Sequence, residues 1–378
     1  MSLTSDVRVG VLGGGQLGRM LIQSGINFNF RFKVLDPNPE APCSRIAHEF
    51  VSGSLVDYDT VMAFGQDVDV LTIEIEKVNT QALEDLAKQG IKVYPQAPLV
   101  RMIQDKRTQK QFYQQHNIPT SDFILIENKA ELANHLDFLP AVQKLGKDGY
   151  DGKGVQILRT ADDLTKGFDA PSLIEKLVDI EKELSVIVAR NERGEVDTFP
   201  LVECVYHPEH NLVDYLMSPA EVPTKIEYKA KEIAVNLVEK MDFVGLLAVE
   251  LFWDKNDNVL VNEIAPRPHN SGHHSIEGNY TSQYEQLLRA ILNLPMGNTA
   301  IREPAAMLNI LGEAGYTGPA KYEGMSDVLA LHDVYVHLYG KTVTKPFRKM
   351  GHVTIMGKNK KDLIQKMDVV KEKLKVIA

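Results

Sequence analysis

Two acidic residues set into apolar strand-like sequence are the first chemistry this chain offers. Val249-Glu250-Leu251-Phe252-Trp253 and Val259-Leu260-Val261-Asn262-Glu263-Ile264 read as strands, and Asp254-Lys255-Asn256-Asp257-Asn258 between them is rich in turn formers. With Lys255 to Asn258 as a four-residue loop, Asp254 pairs with Val259, and counting back along the ladder sets Glu250 opposite Glu263. Cross-strand neighbours have Cβ atoms roughly 4.5–5.5 Å apart, and like charges so placed destabilise a hairpin. A cation removes the conflict. Hard oxygen ligands suit Mg²⁺, or Mn²⁺ in its place, with water and substrate phosphates completing the shell. A solvated edge hairpin is the bland alternative, but Val249, Leu251, Val261 and Ile264 are too apolar for one. The register decides the matter, because a one-residue slip would send the two carboxylates to opposite faces.

Two glycine-rich loops carry the next signal. Gly13-Gly14-Gly15-Gln16-Leu17-Gly18 fits G-x-G-x-x-G between a strand and a helix, so its backbone N–H groups could hold a phosphate. Asp36, ending the following strand, stands near the ribose-binding position of a dinucleotide fold. A nicotinamide or flavin enzyme is therefore the natural rival to a metal–nucleotide site. The second loop, Lys147-Asp148-Gly149-Tyr150-Asp151-Gly152-Lys153-Gly154, suits a basic flap over a triphosphate, although a plain β-turn would also account for it. Its spacing is not that of a Walker A loop, which excludes the usual P-loop fold.

The elements around these groups imply two or three domains in 378 residues. Strands at Val7–Leu12, Phe32–Leu35, Val68–Ile75 and Ile91–Tyr94 alternate with helices, as in a parallel, doubly wound sheet. A polar helix with Lys106, Arg107 and Lys110 then runs towards Pro119, and a helix at Lys229–Met241 leads into the hairpin strand Val244–Trp253. A β-rich portion from Val328 to Met356 ends in a helix with Leu363, Ile364, Met367, Val370 and Leu374 on one side. The expected division is 1–100, a Rossmann-like domain; 101–295, a nucleotide-binding body with a mobile lid around 120–190; and 296–378, a small β-rich domain. Hydrophobic residues make up 44% and charged residues 25%, and the net charge of −9 comes from interspersed acids and bases. That balance points away from nucleic acid. No run approaches the ~20 apolar residues of a membrane span, and no signal peptide is evident, so a cytoplasmic location is expected. Cys43 and Cys204 lie far apart without a CxxC partner and read as reduced thiols.

Taken in order, Gly13-Gly-Gly-Gln-Leu-Gly-Arg19, Gly149-Tyr-Asp-Gly-Lys-Gly154, Asn262-Glu-Ile-Ala-Pro-Arg-Pro-His-Asn-Ser-Gly-His273 and Lys349-Met-Gly-His352 resemble the N5-carboxyaminoimidazole ribonucleotide synthetases of the ATP-grasp superfamily. The match covers nearly the whole chain. It implies an ATP-grasp fold with a Rossmann-like N-terminal domain, and an activity in which ATP and bicarbonate carboxylate the amine of 5-aminoimidazole ribonucleotide in purine synthesis. It also implies a homodimer.

Carried over by position, Lys106, Lys144 and the loop Gly149, Tyr150, Asp151, Gly152, Lys153, Gly154 and Val155 look like phosphate-binding groups. Glu175, Lys176, Leu177 and Val178 resemble the hinge that reads adenine, Glu183 the acid that takes the ribose hydroxyls, and His207 a nucleotide contact. Glu250 and Glu263 resemble the metal ligands, with Asn262 beside them. Gly15, Gln16, Leu17, Glu76, Tyr150 and Asp151 look like contacts to the acceptor ribonucleotide, and Lys341 and Arg348 like its phosphate clamp. Lys106 stands where arginine is usual, Lys77 where a neutral side chain is more common, and Val155 replaces a frequent glutamine.

Bicarbonate is a poor electrophile, so the resemblance implies activation by γ-phosphoryl transfer to carboxyphosphate, with water excluded. Arg267 suits that anion as a forked donor, and His269 and Asn270 lie near it in sequence. The residues do not single out the group that takes the amine proton; His269 is one candidate general base. A metal site made of His269, His273 and His274 is disfavoured by Pro268 and Gly272, which argue for irregular backbone there. Two rivals within the same superfamily, biotin carboxylase and formate-dependent glycinamide ribonucleotide transformylase, differ in the acceptor.

Overall fold

The computed structural model describes residues 6–147, 149, 154–206 and 213–378. At the N-terminus, β1 (Arg8–Leu12), β2 (Arg31–Asp36), β3 (Glu49–Ser52), β4 (Val70–Ile73) and β5 (Lys92–Val93) form a parallel sheet in the order β3-β2-β1-β4-β5. This is the doubly wound arrangement read from the alternation, with β4 and β5 shorter than expected. The helix Gln16–Ile26 follows β1 directly and buries Met20, Leu21 and Ile22. Helices Tyr58–Gly65 and Thr80–Lys88 begin at Asp57 and Asn79, whose side chains accept from the N–H groups of Thr60 and Ala82. Those caps satisfy donors that the first helical turn leaves unpaired.

A separate antiparallel sheet is built from β6 (Phe123–Ile126), β7 (Ala141–Leu145), β8 (Val155–Leu158) and β9 (Ser172–Lys176), in the order β6-β9-β7-β8. Its own small core holds Ile126, Leu132, Ala141, Leu158 and Ile174.

The chain then enters the largest sheet through β10 (Ile180–Arg190), β11 (Val196–Thr198), β12 (Val202–Tyr206), β13 (Val213–Ser218), β14 (Gly245–Asp254), β15 (Val259–Ala265) and β16 (Ala305–Leu311). The remaining strands are β17 (Gly318–Pro319), β18 (Lys321–Glu323), β19 (Val334–Leu338), β20 (Val343–Thr344), β21 (Lys349–Met356) and β22 (Lys375–Ile377). The large sheet runs β15-β14-β10-β12-β13-β16-β21-β19, with β11 paired to β10. Strands on either side of residue 295 therefore share one sheet, through β13 and β16.

Ile180–Arg190, expected within the lid, lies instead at the centre of this sheet. It pairs with β14 from Ile180 opposite Asp254 to Arg190 opposite Gly245. The separate sheet ends at Lys176, short of the expected 190. The helix expected at Lys229–Met241 spans Thr224–Lys240, because Ile226 extends the buried stripe that continues through Ala230, Ala234, Leu237 and Val238. In the last helix, Lys360–Lys373, Leu363, Met367 and Val370 are buried, but Ile364 is 37% exposed and Leu374 lies past the final turn. Ile364 follows Leu363 by a single residue, which rotates it well round the helix from that stripe.

Cys43 and Cys204 are both buried and free. Among the described residues, no helix is long and apolar enough to cross a membrane.

Candidate active site

The β14–β15 hairpin places Glu250 opposite Glu263, by a route that differs from simple counting. Trp253, not Asp254, pairs with Val259, so the loop is one residue longer than expected. Asp254 organises it: its carboxylate accepts from the backbone N–H groups of Asn256 at 2.9 Å and Asn258 at 2.8 Å, and Asp257 takes φ +63°. Carried through, that register would set Glu250 against Asn262. A β-bulge between Leu251 and Glu250 restores the pairing by leaving Asn262 as the extra residue. The freed Asn262 amide points into the cleft, where its Oδ1 accepts from Lys144 Nζ at 2.7 Å.

The two carboxylates have opposite electrostatics. Burial, reinforced by the charges of Glu263 and Glu183, pushes Glu250 well above the carboxylate range. Glu263 goes the other way, because Lys106 contacts its carboxylate directly and holds it ionised. Glu263 lies deep yet keeps 41% of its side chain open, as a group on the floor of a cleft does. Burial alone would lower the Lys106 ammonium, but Glu263 and Glu250 reverse that and raise it. His269 Nε2 stands 3.5 Å from Glu250, while its Nδ1 meets Ser271 Oγ at 2.9 Å. Gln283 fixes the His269 backbone from both sides, accepting from its N–H at 2.9 Å and donating to its carbonyl at 2.8 Å.

Glu175 is not aimed at a base. Its carboxylate is sealed at 3% exposure between Lys110 Nζ at 3.1 Å and Lys144 Nζ at 3.0 Å. Lys176 turns its ammonium to the Phe138 carbonyl, and the Leu177 N–H bonds Pro140, so the backbone leaving β9 is anchored to the separate sheet. Glu183 on β10 faces Cys204 of β12 and Phe252 of β14, and burial pushes it up to about 7. Gly149 and Gly154, the latter with φ +79°, belong to the second glycine loop, and Val155 follows it as the first residue of β8. The assignments to Tyr150, Asp151, Gly152, Lys153 and His207 lie outside the described residues.

The first glycine loop corrects the sequence reading. Glu74 takes the N–H groups of Gly15 at 2.6 Å and Gly18 at 2.8 Å, and Asp36 takes that of Gly14 at 2.7 Å. A Cβ on Gly15 would lie 2.5 Å from the Glu74 carboxylate, so the fit is close. Carboxyl groups of the protein already take the N–H donors expected to cradle a phosphate, so the loop has none of these to offer one. The dinucleotide reading fails for the same reason.

Two arginines line a cavity beside the first turn of the helix Gln16–Ile26. That cavity, of about 210 Å³, is lined by Arg19 and Arg45, with Glu40, Ser44, Gly340 and Thr342 among the other lining residues. Arg19 donates through Nη1 to the Pro42 carbonyl at 3.2 Å, and its buried Nε has no hydrogen-bond partner. Lys341 lies between two lining residues and donates to the Lys349 carbonyl at 2.7 Å; Arg348 bonds the Val343 carbonyl. Gln16 and Leu17 open the helix beside this cavity. Glu76 and Arg267, from distant parts of the chain, meet at 2.8 Å as an ion pair whose N–H is not aligned for a hydrogen bond. Asn270 starts the short 3₁₀ turn Asn270–Gly272.

The structure thus joins Lys106, Lys144, Asn262, Glu263, Glu250 and His269 in one cleft, and Glu76 with Arg267. Sequence reading missed Glu74, Lys110, Ser271 and Gln283. Their partners lie 56 and 59 residues away for Glu74 and 65 for Lys110, and no local pattern encodes such distances.

The separate antiparallel sheet set against a hairpin of opposed carboxylates defines an ATP-grasp enzyme. Residues 111–284 match the ATP-grasp domain, 7–104 the ribonucleotide synthetase preATP-grasp domain, and 305–366 the phosphoribosylaminoimidazole carboxylase C-terminal domain. The N5-carboxyaminoimidazole ribonucleotide synthase of Synechococcus elongatus is 37% identical over 358 residues, covering 92% of this chain and 89% of that one. The synthetase from Thermotoga maritima superposes with a TM-score of 0.91 at 38% identity, covering 98% and 99% of the two chains. An Aspergillus clavatus synthase solved with ADP and 5-aminoimidazole ribonucleotide gives 0.88 at 34% identity, covering 97% and 99%. The chloroplastic phosphoribosylaminoimidazole carboxylase of Vigna aconitifolia is 40% identical over 93% of this chain, which spans 64% of that relative's length. The chain belongs to the N5-carboxyaminoimidazole ribonucleotide synthetase family.

Proposed function

We infer that the protein is an ATP-dependent ligase of purine biosynthesis that carboxylates 5-aminoimidazole ribonucleotide to N5-carboxyaminoimidazole ribonucleotide, releasing ADP and phosphate. The observation that carries this reading is the opposed pair Glu250 and Glu263, ringed by Lys106, Lys144 and His269. Bicarbonate is the carboxyl donor in this reading, and the enzyme is a cytoplasmic homodimer.

The donor set fits a divalent cation. Glu250 is a carboxylate that its surroundings leave short of positive charge, and the bulged Asn262 amide stands beside it. Glu250 and Glu263 would hold Mg²⁺, which when bound neutralises phosphate charge during transfer. The chain's own groups do the rest. Lys144 and Lys106 hold the phosphates, the backbone of Lys176, Leu177 and Val178 meets adenine, and Glu183 accepts from the ribose hydroxyls. A bicarbonate oxygen takes the γ-phosphoryl group as its bond to ADP breaks. The acceptor amine then attacks the carboxyl carbon of carboxyphosphate and phosphate departs. Arg267, paired with Glu76, suits that planar anion, and His269, 3.5 Å from Glu250, is a candidate to take the amine proton. The acceptor's phosphate goes to Lys341 and Arg348 in this reading, Lys341 lying between the cavity residues Gly340 and Thr342, since the N–H groups of the glycine loop are already taken by Glu74 and Asp36.

Phosphate release from ATP and bicarbonate tests the reading, and 5-aminoimidazole ribonucleotide is expected to stimulate it strongly. Absence of stimulation removes this acceptor and leaves the related ligases in play.

Glu183 supplies a pH prediction. With its folded pKa raised to about 7, Glu183 is protonated below that pH and ionised above it. Ribose hydroxyls donate better to a carboxylate than to a neutral acid, so nucleotide affinity is expected to weaken as pH falls through about 7. Calorimetric titration of ADP from pH 6 to 8.5, roughly the span bracketing that pKa, checks this. Glu183→Gln should flatten the curve, and an unchanged curve in that variant removes Glu183 from ribose recognition.

A further inference from the structure

Lys110 takes no part in the chemistry assigned to the cleft. It sits on a helix, Lys106–Gln115, whose other bases face solvent or the cleft, yet it is only 2% exposed. Its ammonium meets Glu175 Oε1 at 3.1 Å, Ser121 Oγ at 3.3 Å and Thr120 Oγ1. A buried lysine is costly unless paired and fully hydrogen-bonded, so a position that retains one invites a functional account.

The contacts close a ring. Starting at β15, the Val261 carbonyl accepts from Thr120 Oγ1 at 2.7 Å, and Thr120 meets Lys110. Lys110 pairs with Glu175 on β9, Glu175 pairs with Lys144 on β7, and Lys144 donates to Asn262, back on β15. Val261 and Asn262 are adjacent, and Asn262 is the bulged residue that lets Glu250 face Glu263. One polar circuit therefore ties the separate antiparallel sheet to β15, the strand that carries Glu263 opposite Glu250 of β14.

The charges in that ring are unequal. Burial lowers Lys110 to about 8 although Glu175 opposes it, so below that pH two ammonium groups share one carboxylate and leave a surplus of one positive charge. Lys110 has a side chain 3% exposed and Lys144 one that is 12% exposed, so the surplus can reach a ligand only through Lys144. Burial raises the Glu175 carboxyl, and Lys144 and Lys110 together more than reverse that, so the acid stays ionised between them. With Lys110 removed, Glu175 would claim Lys144 entirely.

We propose that Lys110 is a positioning residue for the nucleotide site: by neutralising Glu175 from behind, it frees the Lys144 ammonium for the ATP phosphates and holds β7 in register with Asn262. This rests on the ligase reading for the reaction but not for the binding of ADP. Lys110 itself touches no substrate.

The test compares Lys110→Met, Lys110→Arg and Thr120→Val with wild type, reading the KM for ATP, the KM for 5-aminoimidazole ribonucleotide, kcat, the Kd for ADP and the Tm. Lys110→Met should raise the KM for ATP and the Kd for ADP by roughly tenfold or more, the scale of coupling within one charged network, while the acceptor KM stays within about twofold. Lys110→Arg should recover most of the loss, and Thr120→Val should show a smaller shift in the same two constants. Unchanged ATP and ADP constants in Lys110→Met overturn the proposal. So does a loss spread evenly over both substrates that follows Tm, which marks a purely structural lysine. If Lys110→Met does not fold, Thr120→Val decides: a selective nucleotide shift supports the proposal and wild-type constants refute it. If wild type fails to carboxylate the acceptor, the reaction reading falls, and ADP binding still decides the role of Lys110.

Discussion

Glu263→Gln is expected to lower ATP-dependent turnover on the order of 10³-fold while leaving the fold intact, because phosphoryl transfer depends chiefly on charge compensation and alignment. The substitution keeps the shape and removes the charge. Lys106 loses the carboxylate it contacts, and Glu250 loses a neighbour that raises its pKa. The site then lacks one anionic ligand for a cation, and a lysine meant for phosphate is left to pair elsewhere. Stability should change little, since Glu263 is partly open to solvent and the amide oxygen of the substituted side chain can still accept from Lys106. Phosphate release with bicarbonate and acceptor, read beside a thermal melt, provides the check. Near-wild-type release would sink the metal assignment; if the melt collapses, Glu263→Asp, which keeps the charge on a shorter arm, separates folding from chemistry.

Gly272→Ala is expected to cost about 1–3 kcal/mol of stability through overpacking and, if His269 serves as proposed, on the order of 10²-fold in kcat through its misplacement. A Cβ there would stand 2.3 Å from Ile187 Cδ1 and 2.5 Å from Gln283 Cδ and Oε1. Neither neighbour has room to yield. Ile187 is 3% exposed on the central strand β10, and Gln283 is fully buried with its amide clamping both sides of the His269 backbone. Whatever moves Gln283 moves His269, which stands 3.5 Å from Glu250. Urea unfolding and steady-state kinetics read the two effects separately, and a variant with wild-type kcat would show that Gln283 does not set the position of His269.

Glu263 and Gln283 were displayed unequally by the sequence. Glu263 was legible because a strand, a run of turn formers and a second strand lie together in sequence, and alternation marks which residues share a face. The parallel N-terminal sheet was legible for a similar reason. Gln283 was not, because the contact that gives it a role crosses from a helix to an irregular loop. Ile364 shows the limit of pattern reading even inside one helix: its apolar side chain fits the stripe loosely, and its angle leaves it in solvent.

By itself the sequence determined the hairpin and the alternating strands and helices, because these depend on neighbours along the chain. Tertiary structure decided how they meet. It lengthened the hairpin loop by one residue and restored the Glu250–Glu263 register with a bulge at Asn262, a compensation that propensities do not encode. It filled the first glycine loop with Glu74 and Asp36, turning an apparent phosphate cradle into an internal brace. It also buried Lys110 behind Glu175, since only packing of the helix against β9 brings those charges together.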